Sequence, residues 1–336
     1  MTQLDPAAKR DTGVPETPAP RANRGFSIDF RLASLFGVLV LLVIIGTITS
    51  DNFFTGSNLD TVLRLAAPSG VVAVGMTFVI IAAGIDLSVG SVIGLASVWM
   101  TTLATQSYGL VVMVICGLAV GLGAGLINGI LVAYGRMVAF IATLAMYISA
   151  KGLAEFLSNK QTQVVRDQDF LAFFQGSFLG VPALVWILAI VVAAGWVLLN
   201  RTTFGRRTFA IGGNPEATRL AGINVKRHTA MVYGIAGLTA GLAAVMLVAR
   251  TTAGSSTHGQ FYELDAIAAV VIGGTVLTGG RGTMVGTLIG VLIFTVISNI
   301  FTQNNLSTDI QNISKGVIIV IAVLLQFRSS RARSNT

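Results

Sequence analysis

About ten stretches of this chain are apolar for long enough to cross a bilayer, and no other property limits the fold so severely. A helical span needs about 20 predominantly apolar residues. Such windows run from Leu32 to Ser50, Leu65 to Ala83, Leu87 to Thr105, Leu110 to Tyr134, Met137 to Ser158, Pro182 to Asn200, Thr229 to Ala249, Leu264 to Thr278, Thr283 to Phe301 and Ile310 to Phe327. Hydrophobic residues make up 54% of the chain and charged ones 11%, with a mean hydropathy of +0.80. That balance is far from that of a soluble domain. The expectation is an all-α polytopic membrane protein of about ten transmembrane helices.

The positive charge sets the orientation, because cytoplasmic loops retain Lys and Arg. Lys9, Arg10, Arg21, Arg24 and Arg31 precede the first window, and Arg328, Arg331 and Arg333 follow the last. Ten crossings return both termini to the cytoplasmic side, together with the basic loop 201–228. Residues 1–28 are rich in Pro, Thr and Ala and read as a disordered cytoplasmic tail. The span region is then 29–328, and 329–336 forms a second cytoplasmic tail. A long polar tail ahead of the first window does not fit a cleaved signal peptide. The formal net charge of +8 follows from this charge bias, and no basic cluster interleaved with aromatics points to nucleic acid. Cys116 is the single cysteine, so neither a disulfide nor a cysteine metal site is available.

One charge interrupts the apolar pattern. Asp86, in IIAAGIDLSVGSVIG, is the only ionisable side chain between Leu65 and Thr105. At the bilayer centre it would cost roughly 2.5 to 3.5 kcal/mol unpaired. The topology instead puts the loop Gly84 to Ser88 at the cytoplasmic face. Asp86 there either caps the third span, accepting from the backbone of Ser88 or Val89, or pairs with Arg281 as a cytoplasmic gate.

The glycines are spaced for close packing. Gly117, Gly121, Gly125 and Gly129 recur every four residues, as do Gly237 with Gly241, and Gly282 with Gly286 and Gly290. Such ridges let a neighbouring backbone approach. GIDLSVGSVIG from Gly84 also matches GRGTMVGTLIG from Gly280, a weak parallel internal repeat that relates spans 2–5 to spans 7–10.

The loop 201–228 holds GGNPEATRLAGINV. Asn214 suits an N-cap, Pro215 the first helical position, Glu216 the positive end of the helix dipole, and Gly222 a left-handed terminus. A short capped helix outside the membrane is predicted, with Arg219 free to meet lipid phosphates. Glu216, Ala217 and Thr218 followed by Gly222 resemble the Glu-Ala-Ala-x-x-x-Gly element of ABC importer permeases. With GIDLSVGS and AIAAVVIGGTVLTGGRG, nearly the whole stretch from Phe30 to Phe327 resembles the ribose-type sugar permeases. Thr218 stands where that element has a third-position Ala, and its Ile-x-Leu-Pro ending is missing.

The resemblance implies that Asn214, Pro215, Glu216, Ala217, Thr218 and Gly222 form the coupling helix that docks on a separate ATPase subunit. It further implies an extracytoplasmic sugar-binding protein and a second permease copy, as a homodimer, in the cell membrane lipid. ATP and Mg would sit on the ATPase, with no cofactor on this chain. The substrate would be a small neutral sugar or polyol, and Asn128 and Asn299 are candidate hydroxyl-binding residues of the translocation path. A branched-chain amino acid permease is the alternative.

Other classes find less support. There is no G-x-x-x-x-G-K-[ST] phosphate loop, so the chain does not hydrolyse ATP by that route. A proton-coupled transporter needs intramembrane titratable residues, for which Asp86 is thin provision. No H-E-x-x-H occurs, and Ser255, Ser256 and His258 read as a polar external loop rather than a nucleophile and base. His228, beside Lys226 and Arg227, is expected as a solvated interface residue.

Overall fold

The computed structural model describes residues 30–334, and the expected tail 1–28 lies outside the described residues. Its helices are α1 (Phe30–Thr49), α2 (Gly56–Ile81), α3 (Val89–Met100), α4 (Leu103–Gln106), α5 (Leu110–Ala133), α6 (Ala139–Ser158), α7 (Gln168–Gln175), α8 (Ala183–Arg201), α9 (Thr203–Gly213), α10 (Pro215–Leu220), α11 (Val225–Thr251), α12 (Tyr262–Ile272), α13 (Met284–Gln303) and α14 (Thr308–Ser334). Two minimal antiparallel pairs, Gln163–Val164 with Ala253–Gly254 and Ser177–Phe178 with Val181–Pro182, close loops at the end of the bundle away from α10.

Among the described residues, α1, α2, α5, α6, α8, α11 and α13 are long and apolar enough to cross a membrane. The third and eighth windows differ from expectation. They hold α3 of 12 residues and α12 of 11 residues, about 18 and 17 Å long at 1.5 Å per residue. That falls short of a hydrocarbon core of about 30 Å. The third window breaks at Thr102, whose hydroxyl accepts from the Thr105 amide and starts α4.

Two helices occupy the centre. The span window of α2 is 83% buried and that of α11 is 78% buried, whereas only 6% of the α1 window is covered. Small residues let α11 approach both α5 and α2. A Cβ on Gly121 would overlap the Gly237 carbonyl oxygen, one on Gly125 would meet the Tyr233 carbonyl, and one on Gly129 would lie 2.6 Å from the Cα of Ala230. On the other side, Gly75 lies against Thr239 and Ala236. The ridge anticipated in α5 is therefore a backbone-to-backbone seam. The Gly286–Gly290 ridge of α13 does the same against Gly273 and Ala269 at the end of α12.

Helices α2 and α12 stop in the same way. Gly84 N–H donates to the Val79 carbonyl and Ala83 N–H to Ile80, both at 2.9 Å; Thr275 and Gly274 repeat the pattern onto Val270 and Val271 at 3.1 and 3.0 Å. Ala83 and Gly274 carry the left-handed residue, at φ 60° and 97°. This paired 6→1 and 5→2 closure satisfies carbonyls that apolar surroundings would otherwise strand. The sequences aligned as a repeat each follow one of these breaks and lead into α3 and α13.

The seam makes a direct prediction. Gly121→Val is expected to destabilise the protein by about 1–3 kcal/mol through overpacking. Gly123→Val, two residues away where an added Cβ would meet nothing within 4 Å, is expected to be neutral. Thermal unfolding of the two variants in detergent checks the difference.

Candidate functional site

The basic loop expected at the cytoplasmic face folds as α9 and α10, joined by Asn214 alone. Asn214 Oδ1 accepts from the Ala217 amide at 2.9 Å and Pro215 occupies the first turn, so α10 starts as its residues dictate. It ends at Gly222, φ 82°, with the Gly222 amide on Arg219 and the Ile223 amide on Thr218. Glu216 and Arg219 form a bidentate pair, at 3.0 and 2.6 Å, on the exposed face. Arg219 holds the Glu216 carboxyl below its usual range, by hydrogen bonding first and by charge second. The guanidinium expected at lipid phosphates is thus engaged within the helix. Thr218 is buried, its hydroxyl donating to the Asn214 carbonyl at 2.8 Å.

Sequence reasoning missed Leu220, which is 74% exposed at the end of α10. An apolar side chain beside the charged Arg219 on a six-residue helix was its only signal.

The end of α9 next to α10 reaches into the bundle. A Cβ on Gly212 would collide with the Ile81 carbonyl and come within 2.6 Å of the Gly280 amide; Gly279 in turn abuts Ala83 and the Gly212 carbonyl. The Gly280 amide donates to Ile81 O at 2.8 Å. The end of α2 therefore meets the loop between α12 and α13 at one point, and the residue that touches both is close in sequence to the start of α10.

From that junction the chain 82–88 turns back into the bundle. Asp86 is buried there, 1% exposed. Its Oδ1 accepts from the Ser88 amide at 2.9 Å and the Ser88 hydroxyl at 2.7 Å. Asn128 Nδ2 donates to Ser88 Oγ at 2.8 Å, and the Tyr233 hydroxyl donates to the Ile85 carbonyl at 3.3 Å. The capping reading of Asp86 describes this geometry. Arg281 is exposed, and the structure does not bring it into an ion pair with Asp86. The loop enters the bundle because Ser88 and Asn128 offer its polar groups partners there.

The two asparagines separate. Asn299 exchanges amide hydrogen bonds with Asn58 at 3.0 and 2.8 Å, and Gln303 adds a third to Asn58 Oδ1 at 2.7 Å. It is a brace between α2 and α13. Asn128 keeps a buried Oδ1 without a partner among the described residues. His228 is 2% exposed, correcting the solvated expectation. Its Nε2 lies 2.8 Å from Thr208 Oγ1 and its ring stacks near Phe204 at 4.3 Å, because the first turn of α11 packs on α9.

Residues 58–323 match a family model described as branched-chain amino acid transport system / permease component. The chain belongs to this permease family. The ribose import permease protein RbsC of Escherichia coli (strain K12) is 44% identical over 296 residues, 87% of this chain and 92% of that protein. RbsC of Bacillus subtilis (strain 168) is 43% identical over 304 residues, 89% and 94% of the two chains. The L-arabinose ABC transporter permease protein AraH of Azospirillum brasilense is 36% identical over 300 residues, 88% of each chain. As a member of this family the chain is a multi-pass membrane transport subunit and not an enzyme.

In this permease, Asp86→Asn is expected to keep the acceptor that Ser88 uses and to unfold near the parental temperature. Asp86→Ala leaves two buried donors unpaired and is expected to cost about 1–3 kcal/mol. Thermal unfolding in detergent reads both.

Proposed function

We propose that the chain is the membrane subunit of a binding-protein-dependent ABC importer for a small neutral sugar or polyol. The observation that carries the reading is mechanical. An exposed, firmly capped helix, α10, is joined through one residue to glycines in contact with the end of α2 and with the loop that leads into α13. A push on α10 reaches that helix end and that loop with no flexible side chain in between. The names of the relatives add the substrate class, since RbsC and AraH are named for ribose and arabinose. Those names favour a sugar over the amino acid of the family description.

The remaining parts of the mechanism follow from that reading. A separate ATPase, holding ATP and Mg, grips α10 through Leu220 and the Glu216–Arg219 face. An extracytoplasmic binding protein delivers sugar to the opposite end, and two copies of the chain enclose the path. Both termini lie in the cytoplasm and ten helical segments cross the membrane. The crossing at α3 is completed by the non-helical chain 84–88 that precedes it. The parallel repeat supplies one break to each half, and alternating access opens the paired copies outward when ATP binding moves the α10 helices.

Reconstitution tests the assembly. The chain alone in liposomes is expected to move no ribose, arabinose or galactose, with uptake appearing only when ATPase and loaded binding protein are both added. ATP-independent accumulation overturns the reading.

Mutations in α10 test the coupling. Burying a leucine contributes about 1.5–3 kcal/mol, so Leu220→Asp is expected to weaken ATPase docking about tenfold or more. Gly222→Val obstructs the left-handed terminus and Glu216→Lys opposes the helix dipole by about 0.3–1 kcal/mol. All three are expected to insert normally yet lose transport. Normal stimulation of ATP hydrolysis by loaded binding protein in all three would remove α10 from the coupling path.

A further inference from the structure

Two oppositely charged side chains meet inside the bundle, fifty positions apart in the chain. Lys315, the one charge in the tenth apolar window, places Nζ 2.9 Å from Asp265 Oδ2, and each side chain is 22% exposed. Ionisable residues within membrane helices are costly and are retained where they serve a path or a site. This pair borders a cleft of about 180 Å3 between α2, α12, α13 and α14, lined also by Ser69, Tyr262, Thr295 and Ser298. Ser69 lies near the middle of the 26-residue α2 and Thr295 near the middle of the 20-residue α13, so the cleft is midway through the bundle. Transporter substrates are commonly held at that level, beside interrupted helices. The short helix α12 supplies both Tyr262 and Asp265 to it.

We propose that this cleft is a monosaccharide-binding station on the translocation path. The assignment rests on the sugar-permease reading above and names its contact residues. The volume is smaller than the about 300–1,000 Å3 of pockets for drug-sized ligands, and matches a single ring. Lysine only donates and a carboxylate only accepts, while the hydroxyls of Ser69, Tyr262 and Ser298 do either and that of Thr295, which donates to the Val291 carbonyl, accepts. A polyol, whose hydroxyls also do both, satisfies all six groups without bringing a net charge. Phe294 offers the ring C–H groups an apolar wall. The ion pair stays neutral as a unit, so sugar is held by hydrogen bonds alone and is free to leave.

A staple holding α14 to α12 predicts something different from a binding station, because apolar residues of similar size replace a buried ion pair with little loss of stability. The test is the complete transporter in liposomes, with the ATPase and with binding protein loaded with ribose, arabinose or galactose. The double variant Asp265→Leu with Lys315→Leu is expected to cut uptake at least tenfold, while ATP hydrolysis stimulated by binding protein stays within twofold of the parent. Ser298→Phe, which fills the cleft and leaves the pair intact, is expected to do the same. Parental rates of uptake in the double variant, or in Ser298→Phe, overturn the station. If the double variant fails to assemble, Ser298→Phe decides. A parental complex that imports leucine and none of the three sugars overturns the sugar reading itself, and the station with it.

Discussion

The Gly280 amide donates to the carbonyl of Ile81 across 2.8 Å, and most of what distinguishes this bundle from a set of plain spans depends on that contact. A chain that leaves the helix inside apolar surroundings must satisfy each freed peptide group internally, at several kcal/mol per failure. Here α2 and α12 each close their last carbonyls with the same left-handed turn. The remaining acceptor at Ile81 takes its hydrogen bond from Gly280, in the loop that follows α12. Gly212 then fits over the pair because it has no side chain. Three chain segments far apart in sequence are tied at one point by backbone alone, where no rotamer change can loosen them.

The sequence revealed this architecture unevenly. The apolar windows located the helices, and the four-residue glycine spacing in α5 correctly anticipated a close neighbour, since few other reasons exist for such a ridge in a membrane helix. Capping chemistry predicted α10 almost residue by residue, because Asn214, Pro215 and Gly222 act through local backbone geometry that needs no tertiary partner. Helix lengths in the third and eighth windows were not legible. An apolar run reads the same whether its first residues are helical or extended, and only Ser88, which holds Asp86 and accepts from Asn128 in another segment, reveals the difference.

Long-range polar pairings were the other failure, for a related reason. Asn128 and Asn299 look alike as lone amides in apolar spans. Their roles diverge because Asn58 happens to face one of them and Ser88 the other. His228 looked solvated beside Lys226 and Arg227, yet Thr208 is reachable once α9 folds back. Lys315 was invisible as a site until the bundle set Asp265 across from it. Each error concerns a contact whose partner is determined by packing and not by spacing.

These pairings also divide the bundle into parts that hold and parts that can move. Helices α2 and α13 are joined near one end by the Asn58–Asn299 exchange and further along by Thr77 and Thr287, whose hydroxyl oxygens are 2.8 Å apart and buried. Separating the two helices strands several buried polar groups at about 1–3 kcal/mol each. Helix α9 is tied to α11 in the same manner through Thr208 and His228. The α5–α11 seam, by contrast, is made of glycine backbones in van der Waals contact, and sliding along it exposes no donor or acceptor. In the proposed coupling, a displacement entering through α10 would be carried by α9 and α11 together, resisted by the α2–α13 pair and relieved at the glycine seam.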